Sequence, residues 1–143
     1  MDNKKEKLED FKTAISSTVR SISNSEKIEV SFGNQTPKSE KNSIKLPELS
    51  QINNKLNFDQ IRAMADSKSL NFRFSDDKTF KEYEPVGNIS KRLYKISEKI
   101  RCEKIGTSYF KGVKNNIEKF YQERLSGLDL KSSEDKIIES FEN

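Results

Sequence analysis

Histidine and tryptophan are both absent from the 143 residues of this chain, and cysteine occurs once, at Cys102. Without histidine the chain lacks the commonest general base near neutral pH and the commonest zinc ligand. A single thiol excludes an internal disulfide and a cysteine zinc cluster, and it fits a reducing compartment. The five glycines are scattered and none forms a Walker-type phosphate loop, so ATP hydrolysis is expected to belong to another chain. No apolar run approaches the roughly 20 residues of a membrane span. The charged N-terminus lacks the apolar segment of a secretory signal. These absences point to a cytoplasmic protein with no zinc, disulfide or ATP-hydrolysing chemistry of its own.

What is present is charge. Hydrophobic residues make up 31% of the chain and charged residues 35%, so the core must be small and the surface densely charged. Nine Phe and four Tyr are enough to build that core, which argues against wholesale disorder. The net charge of +4 is weak evidence for an anionic partner, because the bias toward Lys (21, against 6 Arg) runs alongside abundant Asn and Ile. That pattern resembles AT-rich coding bias more than a surface selected to bind phosphate.

The chain is organised around Phe58 to Asp76. Stepped at about 100° per residue, it shows two apolar faces. Phe58, Ile61, Ala65 and Phe72 fall on one side, and Ala63, Ser67, Leu70 and Phe74 on the other, with Arg62, Asp66, Ser69 and Arg73 in a polar stripe between. A helix apolar on two sides is sandwiched between other elements. Leu70, Phe72 and Phe74 also alternate as a half-buried strand would. The helix is favoured because neither Gly nor Pro interrupts the run between Phe58 and Glu84.

Before this stretch, Leu8, Phe11, Ile15, Val19 and Ile22 form the stripe of a helix over about 6–23, with Asn24 as its stop. Ile28, Val30 and Phe32 alternate into Gly33 as a short strand. Residues 33–55 read as an exposed loop, interrupted by Ile44-Lys45-Leu46-Pro47, which would return beside the first strand as a hairpin with a long connection. After Pro85 and Gly87, Ile89, Leu93, Ile96 and Ile100 mark a further helix, capped by Ser90 or Asn88 and stopped at Gly106. Val113, Ile117 and Phe120 mark another to about Leu125, and Ser132 and Ser133 would cap a last short helix with Ile137, Ile138 and Phe141. The expected fold is mainly α: four or five helices with a two-stranded β element near residues 27–47. Residues 1–7 would be a flexible terminus, 8–126 the folded domain, and 127–143 an acidic tail or linker start.

Taken in order, four motifs resemble the N-terminal domain of the CobT subunit of aerobic, ATP-dependent cobaltochelatase. They are Phe11-Lys12-Thr13-Ala14 with Arg20 and Ile28-Glu29-Val30-Ser31-Phe32-Gly33; Lys45-Leu46-Pro47-Glu48; Ile61-Arg62-Ala63-Met64-Ala65-Asp66-Ser67 with Leu70 and Arg73; and Ile105-Gly106, Phe110-Lys111-Gly112-Val113 and Asn116. Each is short, but their shared order spans about residues 8–125. The resemblance implies a non-catalytic subunit, or N-terminal fragment of one, in a metal-inserting ligase complex. In that complex an AAA+ ATPase and a large chelating subunit use ATP, Mg and cobalt to metallate hydrogenobyrinic acid diamide for cobalamin. No cofactor is implied for this chain itself.

Two departures stand out. The family's C-terminal von Willebrand factor A-type metal domain is not expected within these residues, and Asp66-Ser67-Lys68-Ser69 carries Lys68 where its metal signature needs serine. Ser75-Asp76 stands where family members often carry a histidine beside the aspartate.

The resemblance supplies most of the case that Arg62, Asp66 and Arg73 form a face contacting a partner subunit. The plainer reading of Arg62 and Asp66 is an exposed intrahelical pair contributing about 0.3–0.5 kcal/mol. Lys91, Arg92, Lys95, Lys99 and Arg101, continued by Lys104, Lys111 and Lys114, could make a phosphate-contacting face with Tyr94, Tyr109 and Phe110 stacking on bases. On that alternative the chain would be a small helical nucleic-acid-binding adaptor using residues 91–114. A solvated face in a lysine-biased chain explains the same residues more simply. Glu82, Glu84, Asp76 and Asp77 are adjacent acids in polar stretches and read as solvated. Cys102, off the apolar stripe, reads as an idle thiol.

Overall fold

The computed structural model describes residues 2–48 and 58–126, together with Ser140. In chain order the elements are α1 (Asp2–Ser23), β1 (Glu29–Phe32), β2 (Ser43–Leu46), α2 (Phe58–Phe74), α3 (Asp77–Glu82), α4 (Asn88–Tyr109) and α5 (Lys111–Ser126). The mainly helical architecture and the small sheet follow the sequence. The short helix expected near Ile137 and Ile138 lies outside the described residues.

The stripe of α1 is buried as its spacing requires: Phe11, Ile15, Val19 and Ile22 are all inside. The helix starts at Asp2, earlier than the apolar period places it, because Lys4, Lys5, Glu6 and Lys7 extend it through propensity alone. It ends at Asn24, whose φ of 54° is left-handed. Asn24 N–H donates to Ser21 O at 3.2 Å and Ser25 N–H to Arg20 O at 3.1 Å. This is the paired closure of a Schellman cap, with asparagine in the place glycine usually takes.

The sheet corrects one expectation. β1 and β2 pair in parallel, with Val30 beside Ile44 and Phe32 beside Leu46, not as a hairpin. Alternation fixes which face is buried and says nothing about strand direction. In the connection, residues 33–42, Lys38 N–H donates to the Glu29 carboxylate at 2.9 Å.

α2 lies between two apolar clusters. Ile61 and Ala65, with Phe72 at the margin, join Phe11, Ile15, Val19, Ile28, Phe32, Ile44 and Leu46. Leu70, with Phe74 at the margin, joins Ile22, Val113 and Ile117. Both predicted faces are therefore real, and the helix continues to Phe74 rather than turning into a strand. After it, Asp76 caps the short helix α3 by accepting the Thr79 N–H at 3.2 Å. No apolar period marks α3 in the sequence. Phe80 pins it to α4 by stacking on Tyr94 at 4.5 Å, and the Tyr94 hydroxyl donates to Phe80 O at 2.9 Å.

α4 differs from expectation at both ends. Its N-cap is Gly87, with a φ of 108° and no side-chain cap, instead of Asn88 or Ser90. Gly106 does not stop it, and the helix runs on to Tyr109. Gly106 is needed for closeness: a Cβ there would sit 2.1 Å from the Leu70 Cδ2. Cys102 lies off the predicted stripe of α4 and is nonetheless fully buried, on the side of the helix that carries Gly106, and burial pushes its thiol up to about 11.

Two glycine substitutions test this packing. Gly106→Ala should cost about 1–3 kcal/mol in urea denaturation by driving a methyl group into Leu70. Gly112→Ala, where an added Cβ meets nothing within 4 Å, should be stabilising by up to about 1 kcal/mol through helix propensity. Equal effects at the two positions would contradict the close approach of α2 and α4.

Candidate functional site

The polar residues of α2 divide into two groups. Asp66, Ser67 and Ser69 are buried, whereas Arg62 and Arg73 are exposed. Asp66, 3% exposed, accepts a hydrogen bond from Asn116 Nδ2 of α5 at 2.9 Å. Ser67 donates its hydroxyl to Glu103 Oε1 of α4, and Tyr121 of α5 donates to Glu103 Oε2 at 2.8 Å. Ser69 turns back to its own helix, donating to Ala65 O at 2.6 Å. Three helices are thus joined by two buried carboxylates, each held by named donors. Withdrawal from water raises the Asp66 carboxyl above the ordinary aspartate value, and the Asn116 hydrogen bond and Arg62 charge offset only part of that.

The predicted partner-contact residues occupy three different settings. Asp66 is inside. Arg62 does not pair with it but reaches back to Asp59 at 3.2 Å, with its guanidinium 5.3 Å from the centre of the Phe11 ring. Asp59 also takes Lys119 of α5 at 3.1 Å, and that hydrogen bond, followed by the two nearby cations, holds its carboxyl below the usual range. Arg73 donates to Ile22 O at 3.2 Å, satisfying a carbonyl at the end of α1, and lies over Phe74 and Phe110.

The expected basic face is divided as well. At the helical step, Lys91, Arg92, Lys95 and Lys99 span an arc of about 100°, while Arg101 lies on the opposite side of α4. Lys91 pairs with Glu84 at 3.3 Å, and Lys99 lies 5.4 Å from the centre of the Tyr121 ring. Arg101 chelates Glu98 at 2.7 and 2.8 Å and donates to Phe74 O at 2.8 Å, tying α4 to the end of α2. Glu82, Asp76 and Asp77 are exposed, and Lys81 pairs with Asp77. Among the described residues, no three of His, Cys, Asp or Glu gather into a group that could hold a metal ion. Likewise no helix among them is long and apolar enough to cross a membrane.

A family model described as the cobalamin biosynthesis protein CobT matches residues 5–137. The chain belongs to the CobT family. Membership gives it a role in cobalamin biosynthesis. No solved structure matches it. In this CobT-family chain the motifs of the resemblance meet in space: Asp66 of the third binds Asn116 of the fourth, and Leu70 of the third packs on Gly106. Glu103 and Tyr121 were not singled out from sequence. The available signal was spacing, since Glu103 lies on the same side of α4 as Cys102 and Gly106.

Asp66 allows a test in which the sign is fixed. Because its folded-state pKa is raised, the native chain binds the proton more tightly than the unfolded chain. Its contribution to stability is therefore fully present below the unfolded value, 3.8, and is lost as pH rises through the higher folded value. Asp66→Asn keeps an acceptor for Asn116 without the charge. It should match or exceed the wild type in chemical denaturation at pH 7, with a flatter stability profile above pH 4. Asp66→Ala should cost about 1–3 kcal/mol by leaving the Asn116 amide unpaired.

Proposed function

We propose that this chain is a non-catalytic subunit of ATP-dependent cobaltochelatase, or the N-terminal region of one. Its task on this reading is assembly. It binds an AAA+ ATPase, which turns over ATP and Mg, and supports a large chelating subunit that inserts cobalt, the reaction's substrate, into the corrin ring. The observation that carries the proposal is the meeting of Asp66 with Asn116 inside the helix sandwich of a CobT-family domain. The family motif builds the scaffold and presents no reactive group at its surface. Glu103 is likewise engaged by Ser67 and Tyr121, and Cys102 is buried with a raised pKa. Engagement of these carboxylates and enclosure of the thiol favour an assembly role over chemistry by these groups.

For partner contact, the solvent-facing remainder of the predicted stripe is the natural place. Arg62, Asp59 and Lys119 form one connected charge cluster across α2 and α5, and their side chains are each at least half exposed. Charges on the rim of an interface govern register and association rate more than fold.

Co-purification of the full chain with the AAA+ subunit is expected, together with a change in its ATP turnover. Replacing Arg62 and Lys119 together by Glu should weaken the association by about tenfold or more while leaving the melting transition near that of the wild type. If the wild-type chain neither binds the ATPase nor changes its turnover, the chelatase reading falls.

A further inference from the structure

We propose that the apolar seam on the outer flank of α4 is a docking surface for an acidic segment of the same chain, residues 132–143. The seam is made by Ile89, Leu93, Ile96 and Ile100, spaced four, three and four residues apart. That is the narrow heptad spacing by which one helix meets another along its length. The core of the domain does not use it. At the helical step the seam stands roughly 100° from the side of α4 that buries Cys102, Glu103 and Gly106. Its four side chains are only half-buried, and among the described residues they belong to neither apolar cluster around α2. Ile100 instead borders an open groove with Ser97 and Lys104.

Charge selects the occupant. In heptad terms the positions bordering the seam are Ser90, Arg92, Ser97, Lys99 and Lys104, with no acid among them. A second copy would set cations against cations along the seam, which disfavours self-pairing. An acidic helix matches it. Residues 132–143 lie outside the described residues, but their sequence has the required pattern. Ile137, Ile138 and Phe141 fall within one arc of about 100° at the helical step. Around them Glu134, Asp135, Glu139 and Glu142 outnumber the single Lys136, and Asp135 and Glu142 share one border of the apolar arc.

The chain is also long enough to return. Tyr121 of α5 donates to Glu103 and lies under Lys99, so α5 passes along the border of α4 next to the seam. Residues 127–131 can span up to about 17 Å. A helix over residues 132–143 would be about 18 Å long, against about 16 Å from Ile89 to Ile100. The docking does not depend on the assembly role and can be tested without any partner.

The test is NMR of the full chain with labelled Ile and Leu methyl groups. Cross-relaxation from the Ile137 and Ile138 methyls to those of Ile89, Leu93, Ile96 and Ile100 is expected within one molecule. Ile137→Ser, Ile138→Ser and Phe141→Ser combined should shift the Ile89, Ile96 and Ile100 methyl signals. The same variant should speed amide exchange over residues 88–100 by about tenfold. Ile15 and Ile61, buried in the core, report separately that the domain is still folded and should not move. Glu134→Lys, Asp135→Lys and Glu142→Lys combined should release the seam in the same way, more strongly at low salt. Seam signals indifferent to the serine variant, or unmoved by the charge reversal, would overturn the proposal. So would contacts found only between differently labelled chains, which would make a second copy the occupant.

Discussion

The rest of the domain depends on the contact between Leu70 and Gly106. α2 is covered on both sides, so its neighbours must come close enough to leave no gap. On the side of α4 that closeness exists because Gly106 has no side chain and the Leu70 methyls lie over its Cα. The crossing then determines what can meet around it. Ser67 reaches Glu103, Arg101 reaches the carbonyl of Phe74, and Cys102 is sealed between the helices. A wider separation would admit water beside two carboxylates and undo their pairing. The small residues of α2 matter for the same reason, because Ala63, Ala65, Ser67 and Ser69 are all buried where larger side chains would hold the helices apart.

Such a core carries an evident cost. Two carboxylates inside a domain with few apolar residues are a poor way to gain stability, since desolvation consumes much of what their hydrogen bonds return. Their usefulness lies in register. Asn116 can meet Asp66, and Tyr121 can meet Glu103, only if α5 lies at one position along α2 and α4. The apolar part of the same surface, Val113 and Ile117, would tolerate sliding far better. In a chain that is 31% hydrophobic, polar contacts supply specificity that apolar packing alone would leave loose.

This division explains what could be read from the residues in advance. Helical period exposed the stripes of α1 and α5 and both faces of α2, because burial of whole apolar side chains leaves a regular mark. Strand direction left none, and β1 with β2 proved parallel. Gly106 misled because a glycine near the end of an apolar stripe is ambiguous: it serves equally as a stop or as a site of close approach, and only the position of Leu70 decides. The polar stripe of α2 was visible as a pattern but not as a geometry. Asp66 and Arg73 are neighbours on the helical wheel, yet one is inside against α5 and the other closes the end of α1. Sequence spacing fixes azimuth along one helix, whereas burial depends on where the other helices end.

The same reasoning separates scaffold from surface. Residues whose polar groups are consumed within the chain are poorly placed to act on a substrate or meet a partner, however dense the family resemblance around them. In this domain they include Asp66, Ser67, Glu103 and Asn116, along with Arg73 and Arg101. What faces outward is charge. Around Arg62, Asp59 and Lys119 opposite signs alternate, a pattern that is locally neutralised and suited to matching another protein's mixed surface. Such a surface can change without undoing the fold, because the contacts that lock the core, Asp66 with Asn116 and Glu103 with Tyr121, are not shared with it.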